Sequence, residues 1–468
     1  LHAQAGGADL LILSLETLCL GGMIPARRVD DSLAEAEAYL DLLPQLKAIN
    51  PQLKILAGGV VVRVAHDDDP VEEKPYYGTH GPALRAFSEA SDRYRRHRTE
   101  EDKARLEAAK KGVPEDILQD WLATRERNHV LHHKALALVQ GGVIDHLCLT
   151  LDDTSSYGLA AIDRRALEAL TDDLALWPKV DIYPGADEVP AVLLARALQV
   201  EPAKVYVSYS GSSGAAAGLL YEDRAAGELV KAQLRAARCL QVGSPAEADI
   251  ILAVNTPATK QAHAQPDYAT VDTAERHLPG FVDAVAGWLE EGRRVSIADI
   301  AYPNGAELRL MKLLSQRLDF AALAGFAAWN TAGNTLGSAI AMAVIRERVD
   351  LASAPQRDAW FSALFNRFVD DWLYQSVVRE EVRGALGNPS PFDLGGERGR
   401  AEGLIGAHLE PLAQELWQEH FAASAGRLLW RAPKLAWPRL FTGVFPFGVS
   451  SEASLAKSPE APADDRGP

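Results

Sequence analysis

A parallel β/α barrel with a helical C-terminal extension is the fold class this sequence predicts, and three observations predict it. Apolar runs alternate with amphipathic stretches through about the first 350 residues, giving eight or so β/α units in succession. The apolar runs are continuous rather than alternating, as expected of parallel strands covered on both faces. Their C-terminal ends carry carboxylates, amides and a tryptophan, and that is the end where a parallel barrel assembles its site.

In chain order, the first run contains Leu10 to Leu15 and is followed by Gly21-Gly22 and a helical pattern over 32–47. The second unit begins at 54–63, around Ile55-Leu56-Ala57-Gly58-Gly59-Val60-Val61-Val62. Residues 66–114 are charged and poor in β-branched side chains, which reads as a solvated helical excursion. A long amphipathic helix at 114–140 ends at Gly141-Gly142 and leads into a third strand that closes on Asp152-Asp153. Further strands are expected at 180–183, 204–210, 249–255, 295–301 and 320–328. The helices between them fall near 164–176, 189–198, 227–240, 273–290 and 307–317. The barrel region is thus 1–348. Residues 349–449 read as mostly helical, with Trp360, Phe361, Phe365, Phe368, Trp372 and Tyr374 at helical spacing forming a core stripe. A Pro- and aromatic-rich stretch at 435–449 suggests a strand packing back on the barrel, and 450–468 reads as a disordered tail.

Bulk properties narrow the partners. The net charge of -16 argues against nucleic acid or an anionic membrane and leaves neutral or polar small molecules, sugars included. No apolar run reaches the length of a membrane span, and oligomeric state is not encoded in any pattern found. Cys19, Cys148 and Cys239 are far apart in apolar surroundings, so buried free thiols are expected, with no disulfide framework, thiolate metal site or cofactor indicated. His129, His132 and His133 on the long helix do not match a zinc spacing and read as packing or surface histidines. No signal peptide is visible, which favours a cytoplasmic location. The chain opens on Leu1, without an initiator Met, in what reads as the end of a helix, so a missing upstream segment that carried a targeting signal fits as well.

The strand ends give the candidate site: Glu16, Arg63, Asp152 and Asp153, Asp187 and Glu188, Asn255, Asp299 with Asn304, and Trp329 and Asn330 with Asn334. Sugar recognition requires such a mixture, because hydroxyls are held by paired polar groups and an apolar sugar face stacks on a ring. Asp152-Asp153 has three readings: an acid beside an anion, a lining Asp152 beside a turn-capping Asp153, or a pair of ligands for a hard cation. Asp187 and Glu188 also suit the N-terminus of a helix, where purely structural roles explain them. Asp299 sits inside an apolar run and needs a partner.

Several strand-end motifs are jointly distinctive. Ser14-Leu15-Glu16-Thr17-Leu18, Asp152-Asp153 with Tyr157-Gly158, Tyr183-Pro184-Gly185-Ala186-Asp187-Glu188, Ala298-Asp299 with Asn304-Gly305, and Trp329-Asn330-Thr331-Ala332-Gly333-Asn334-Thr335 resemble an uncharacterised bacterial family, domain of unknown function 4127. Asp371-Trp372, Tyr374-Gln375-Ser376 and Trp437-Pro438-Arg439-Leu440-Phe441 extend the resemblance into the C-terminal part. The resemblance adds Tyr157 to the candidate site but brings no reaction with it. It implies an upstream strand ending in a Pro-Leu-Asp-Asp-Arg-Pro-like segment; if that strand belongs to the barrel, the expectation is a barrel without its first strand here. The functional expectation is a glycoside hydrolase with Asp152 or Asp153 as general acid and Asp187 or Asp299 as partner. The alternatives are a metal-dependent hydrolase using the same carboxylates and a non-catalytic sugar-binding or scaffolding protein.

Overall fold

The computed structural model describes residues 1–262, 265, 275–387, 389–390 and 392–450. Strand positions follow the apolar runs closely: Leu10–Ser14 (β1), Lys54–Val61 (β2), His146–Leu151 (β3), Val180–Pro184 (β4), Lys204–Tyr209 (β5), Leu240–Gln241 (β6), Ile250–Asn255 (β7), Val295–Asp299 (β8) and Gly325–Ala327 (β9). Only the two-residue β6 is not anticipated from the sequence, being too short to carry a pattern. The run before β9 is broken by a 3₁₀ turn at Phe320–Ala322.

All neighbouring pairs among these strands are parallel, but they form two sheets. The first has the order β1-β2-β3-β4 and the second β6-β5-β7-β8-β9. The parallel α/β class is as expected, whereas no closed barrel is found among the described residues: β4 and β5, consecutive in the chain, belong to different sheets. The physical reason lies in the helices that follow β4, β5 and β9. Val189–Leu198, Ala226–Ala236 and Ala332–Arg346 pack in one core with Leu56, Cys148 and Tyr183 of the first sheet and Val205, Leu252 and Ala298 of the second. A helix buried between the second sheet and the helices Val189–Leu198 and Ala226–Ala236, which themselves lie on the first sheet, must be apolar nearly all round. Ala332–Arg346 is, with Leu336, Ala339, Ile340, Ala341, Ala343 and Val344 all buried. Its glycines permit close approach: a Cβ on Gly333 would lie 2.7 Å from the Pro184 carbonyl oxygen, and one on Gly337 would lie 2.2 Å from Glu188 Cγ. That helix therefore presses against the end of β4.

The outer faces are covered separately. Leu15–Leu20, Leu42–Ile49 and Glu115–Gln140 close the first sheet. Leu278–Glu290, Leu308–Arg317 and the C-terminal helices close the second. The expected helix at 273–290 begins in residues outside those described. The excursion at 66–114 is helical, as Tyr77–His97 and Glu100–Lys111, but not merely solvated: Tyr77, Leu84 and Phe87 share a small core with Leu118 and Trp121. The aromatic stripe is core, with Phe361, Phe365, Phe368 and Tyr374 buried, and it runs from Ala354–Arg367 into a π-helical stretch at Phe368–Val378. The final aromatic stretch forms short antiparallel pairs: Arg427–Trp430 (β10) with Phe447–Ser450 (β13), and Lys434–Leu435 (β11) with Gly443–Val444 (β12). Apart from Ser450, the expected disordered tail lies outside the described residues. No described helix is long and apolar enough to cross a membrane.

Candidate active site

The C-terminal ends of β2, β3, β4, β8 and β9 open on one cavity of about 490 Å³, completed by the segment Trp437 to Thr442. Three of its lining residues, Asp153 (φ 38°), Asn304 (φ 61°) and Asn330 (φ 64°), hold left-handed backbone. Asp and Asn tolerate this better than other side-chain-bearing residues, yet each such position costs on the order of 1–3 kcal/mol. The turns are held in place. Asn304 N–H donates to the Asn330 carbonyl at 3.0 Å, and Ala328 N–H donates to the buried Asp371 carboxylate at 2.8 Å. Asp371 is in turn paired with Arg367.

β3 ends at Leu151, so the chain has already turned when it reaches Asp152 and Asp153, and both line the cavity. Arg63 organises the charged side. Its Nε, Nη1 and Nη2 donate to Glu73 at 2.9 Å, Asp153 at 3.0 Å and Glu72 at 3.0 Å. Arg27 pairs with Glu73 at 2.7 Å and stands 3.4 Å from Asp152 Oδ2. Arg439, from the C-terminal segment, also pairs with Glu72. Burial works against the Glu72 anion, but Arg63 and Arg439 outweigh it and hold the carboxyl below its ordinary value.

Asp187 is placed differently. Its backbone N–H donates to Asn334 Oδ1 at 2.8 Å, and its Oδ2 accepts from Asn330 Nδ2 at 2.9 Å. Among the described residues it forms no ion pair. Burial and then the charge of Asp152 push its carboxyl up to about 6, with the Asn330 amide opposing. Burial and Asp152 push Asp153 up to about 7, against Arg63 and Arg27.

The lining also includes aromatic side chains: Trp329, Trp437, Phe441 and Phe392. The Trp329 and Phe441 ring centroids are 5.8 Å apart. Tyr374 Oη donates to the Leu440 carbonyl at 2.5 Å and Gln375 to the Phe441 carbonyl at 3.2 Å, fixing that segment over the strand ends.

Of the residues singled out in the sequence, the cavity brings together Arg63, Asp152, Asp153, Asp187, Asn304, Trp329 and Asn330. The others stand elsewhere. Glu16 is buried, accepts Val60 N–H at 2.7 Å and meets His132 Nε2 at 3.2 Å, tying the short helix Leu15–Leu20 after β1 to β2 and the long helix. Glu188 accepts from Ala186 N–H and Gln233, both at 2.8 Å, and Asn334 spans Thr331 and Asp187 behind the wall. Tyr157 lies beneath Arg93 and Arg96 in a separate pocket that shares only His66 and Asp153 with the cavity.

Asn255 and Asp299 belong to a closed network. Asn255 Nδ2 donates to Asp299 and to Glu307, each at 2.8 Å, Asp299 accepts Glu307 N–H at 2.6 Å, and Arg276 pairs with Glu307 at 2.7 Å. Asp299 is fully buried there and does not reach the cavity. Sequence reasoning missed Arg27, Glu72, His66, Tyr221, Trp437, Arg439 and Phe441. The Trp437-Pro438-Arg439-Leu440-Phe441 motif was the available signal for three of them.

Among the described residues, the one group of three His, Cys, Asp or Glu side chains whose ligand atoms converge within 4.8 Å is His146, Cys148 and Asp181, outside the cavity. No curated protein and no solved structure matches the chain. A family model described as "Protein of unknown function (DUF4127)" matches residues 1–444, and the chain belongs to that family.

Proposed function

We propose that the protein is a carbohydrate-active hydrolase, a glycoside hydrolase whose substrate occupies the cavity between Asp187 and the Trp329–Phe441 wall. The observation that carries the reading is the pairing in one 490 Å³ space of a carboxyl without an ion pair, Asp187, with a carboxylate beside an arginine, Asp152, in a lining that also holds aromatic rings. Glycosidic cleavage needs an acid to protonate the leaving oxygen and an anion to support the cationic ring. Asp187 suits the first role. Its raised carboxyl keeps a proton up to about pH 6, and it forms no ion pair among the described residues, Arg27 favouring its anion only from a distance. Asp152, beside Arg27, suits the second, either as nucleophile or as base for the attacking water. The proton passes from the Asp187 carboxyl to the glycosidic oxygen as the C–O bond breaks, and water supplies the replacement hydroxyl and proton. Trp329 and Trp437 offer faces for stacking, while Asn330, Asn304 and Arg63 offer donors for ring hydroxyls.

Asp299, in its saturated network, takes no part in this proposal. A panel of aryl glycosides and N-acetyl-aminoglycosides tests it: chromophore release that is lost in Asp187→Asn supports the reading. Sugar binding without turnover of any glycoside points to a binding protein instead, and equal turnover by wild type and Asp187→Asn removes Asp187 from the chemistry.

A further inference from the structure

Away from the cavity, the first sheet holds a second chemical constellation at its opposite end. His146 opens β3 and Cys148 follows two residues later, so both side chains share one face of the strand. Parallel pairing sets Cys148 beside Asp181 of β4, and Tyr183 follows on the same face. His146, Cys148 and Asp181 are all buried, and their ligand atoms lie within 4.8 Å of one another. His146 Nε2 is 3.0 Å from Asp181 Oδ2, Arg196 Nη1 stands 3.8 Å from the same oxygen, and the Tyr183 hydroxyl bonds Cys148.

We propose that His146, Cys148 and Asp181 form a site for a divalent ion of the zinc class, independent of the carbohydrate reading. The donor set is one imidazole, one thiolate and one carboxylate, a mixture that suits zinc or cobalt rather than calcium or magnesium. A tetrahedral zinc centre keeps such ligand atoms roughly 3.3–3.7 Å apart, so closing on an ion requires a shift of about 1 Å from this arrangement. The thiolate and carboxylate neutralise the ion. Arg235 Nε pairs with the other carboxylate oxygen, Asp181 Oδ1, at 2.9 Å, while Oδ2 meets the ring at 3.0 Å and Arg196 at 3.8 Å; an outer partner such as Arg235 orients a metal-bound carboxylate. Binding converts the Cys148 thiol to a metal thiolate and releases its proton to solvent, so affinity rises with pH. The ion would fasten β3 to β4 at the end of the sheet remote from the cavity.

Cobalt titration of the full chain, first dialysed against chelator, tests this. The expected result is a sulfur-to-cobalt charge-transfer band that saturates at one equivalent per chain and is bleached by zinc. Cys148→Ser should lose the band while Cys19→Ser and Cys239→Ser keep it. Zinc should raise the thermal unfolding temperature of the wild type and not of His146→Gln. A folded wild-type protein that gives no such band, or a band that survives both Cys148→Ser and His146→Gln, overturns the site.

Discussion

Two acidic clusters stand at the C-terminal ends of parallel strands in this molecule, and they differ in what completes them. Around Asp299 every polar group is met from within: Asn255, Arg276, Glu307 and two backbone N–H groups close the network. Around Asp187 the protein supplies one amide to the carboxylate and then stops, leaving an open cavity faced with tryptophans. The two carboxyls are both raised by burial, to about 7 and about 6. A perturbed carboxyl therefore does not by itself separate a working group from a structural one. The partner census does, because a saturated network has no valence left for a ligand.

The largest expected effect breaks that comparison on its functional side. Asp187→Asn should reduce kcat/KM for a cleavable glycoside by about 10²–10⁴-fold, about 3–5.5 kcal/mol, with the unfolding midpoint little changed. On the structural side, Arg276→Ala strands the buried Glu307 carboxylate and should lower stability by about 3–5 kcal/mol in denaturant unfolding. Trp329→Ala should raise KM severalfold with a smaller change in kcat, about 1 kcal/mol of stacking, read from initial rates.

Two pH measurements sharpen the contrast further. If Asp187 must be protonated to act, kcat/KM should fall as pH rises through about 6. Stability should respond to the fully internal groups. Burial raises Glu188 to about 7 and Glu222 to about 8 from an ordinary 4.5. Folded-state values above the unfolded ones mean that protonation favours the fold. Their contribution is complete below about 4.5 and is lost as pH rises through 7 to 8, so unfolding midpoints should decline across that window. Glu188→Gln and Glu222→Gln together should flatten the decline.

The strands were legible because each buried parallel strand is a continuous apolar run, and β2, β3, β5 and β7 fall within a residue or two of where Ile55, Leu147, Val205 and Leu252 predict. Pairing was not legible. A sequence of β/α units reads alike whether β4 and β5 join or separate, and the deciding feature is a helix apolar nearly all round, Ala332–Arg346, whose small residues let it pack between the second sheet, two neighbouring helices and the end of β4. The candidate site was legible where one short stretch carries two cavity residues, as in Asp152-Asp153 and Trp329-Asn330. It was not legible for Arg27, Glu72 and Arg439, which enter from a helix, a charged loop and the C-terminal segment and meet only through the fold. The same limit applies to His146, Cys148 and Asp181, joined by strand register rather than by spacing.

The most direct test compares two substitutions of identical chemistry, Asp187→Asn and Asp299→Asn, on one cleavable aryl glycoside, with turnover measured on folded protein. Turnover should collapse in Asp187→Asn and persist in Asp299→Asn. Turnover that persists in Asp187→Asn and collapses in folded Asp299→Asn would contradict the assignment of the open cluster as the active site.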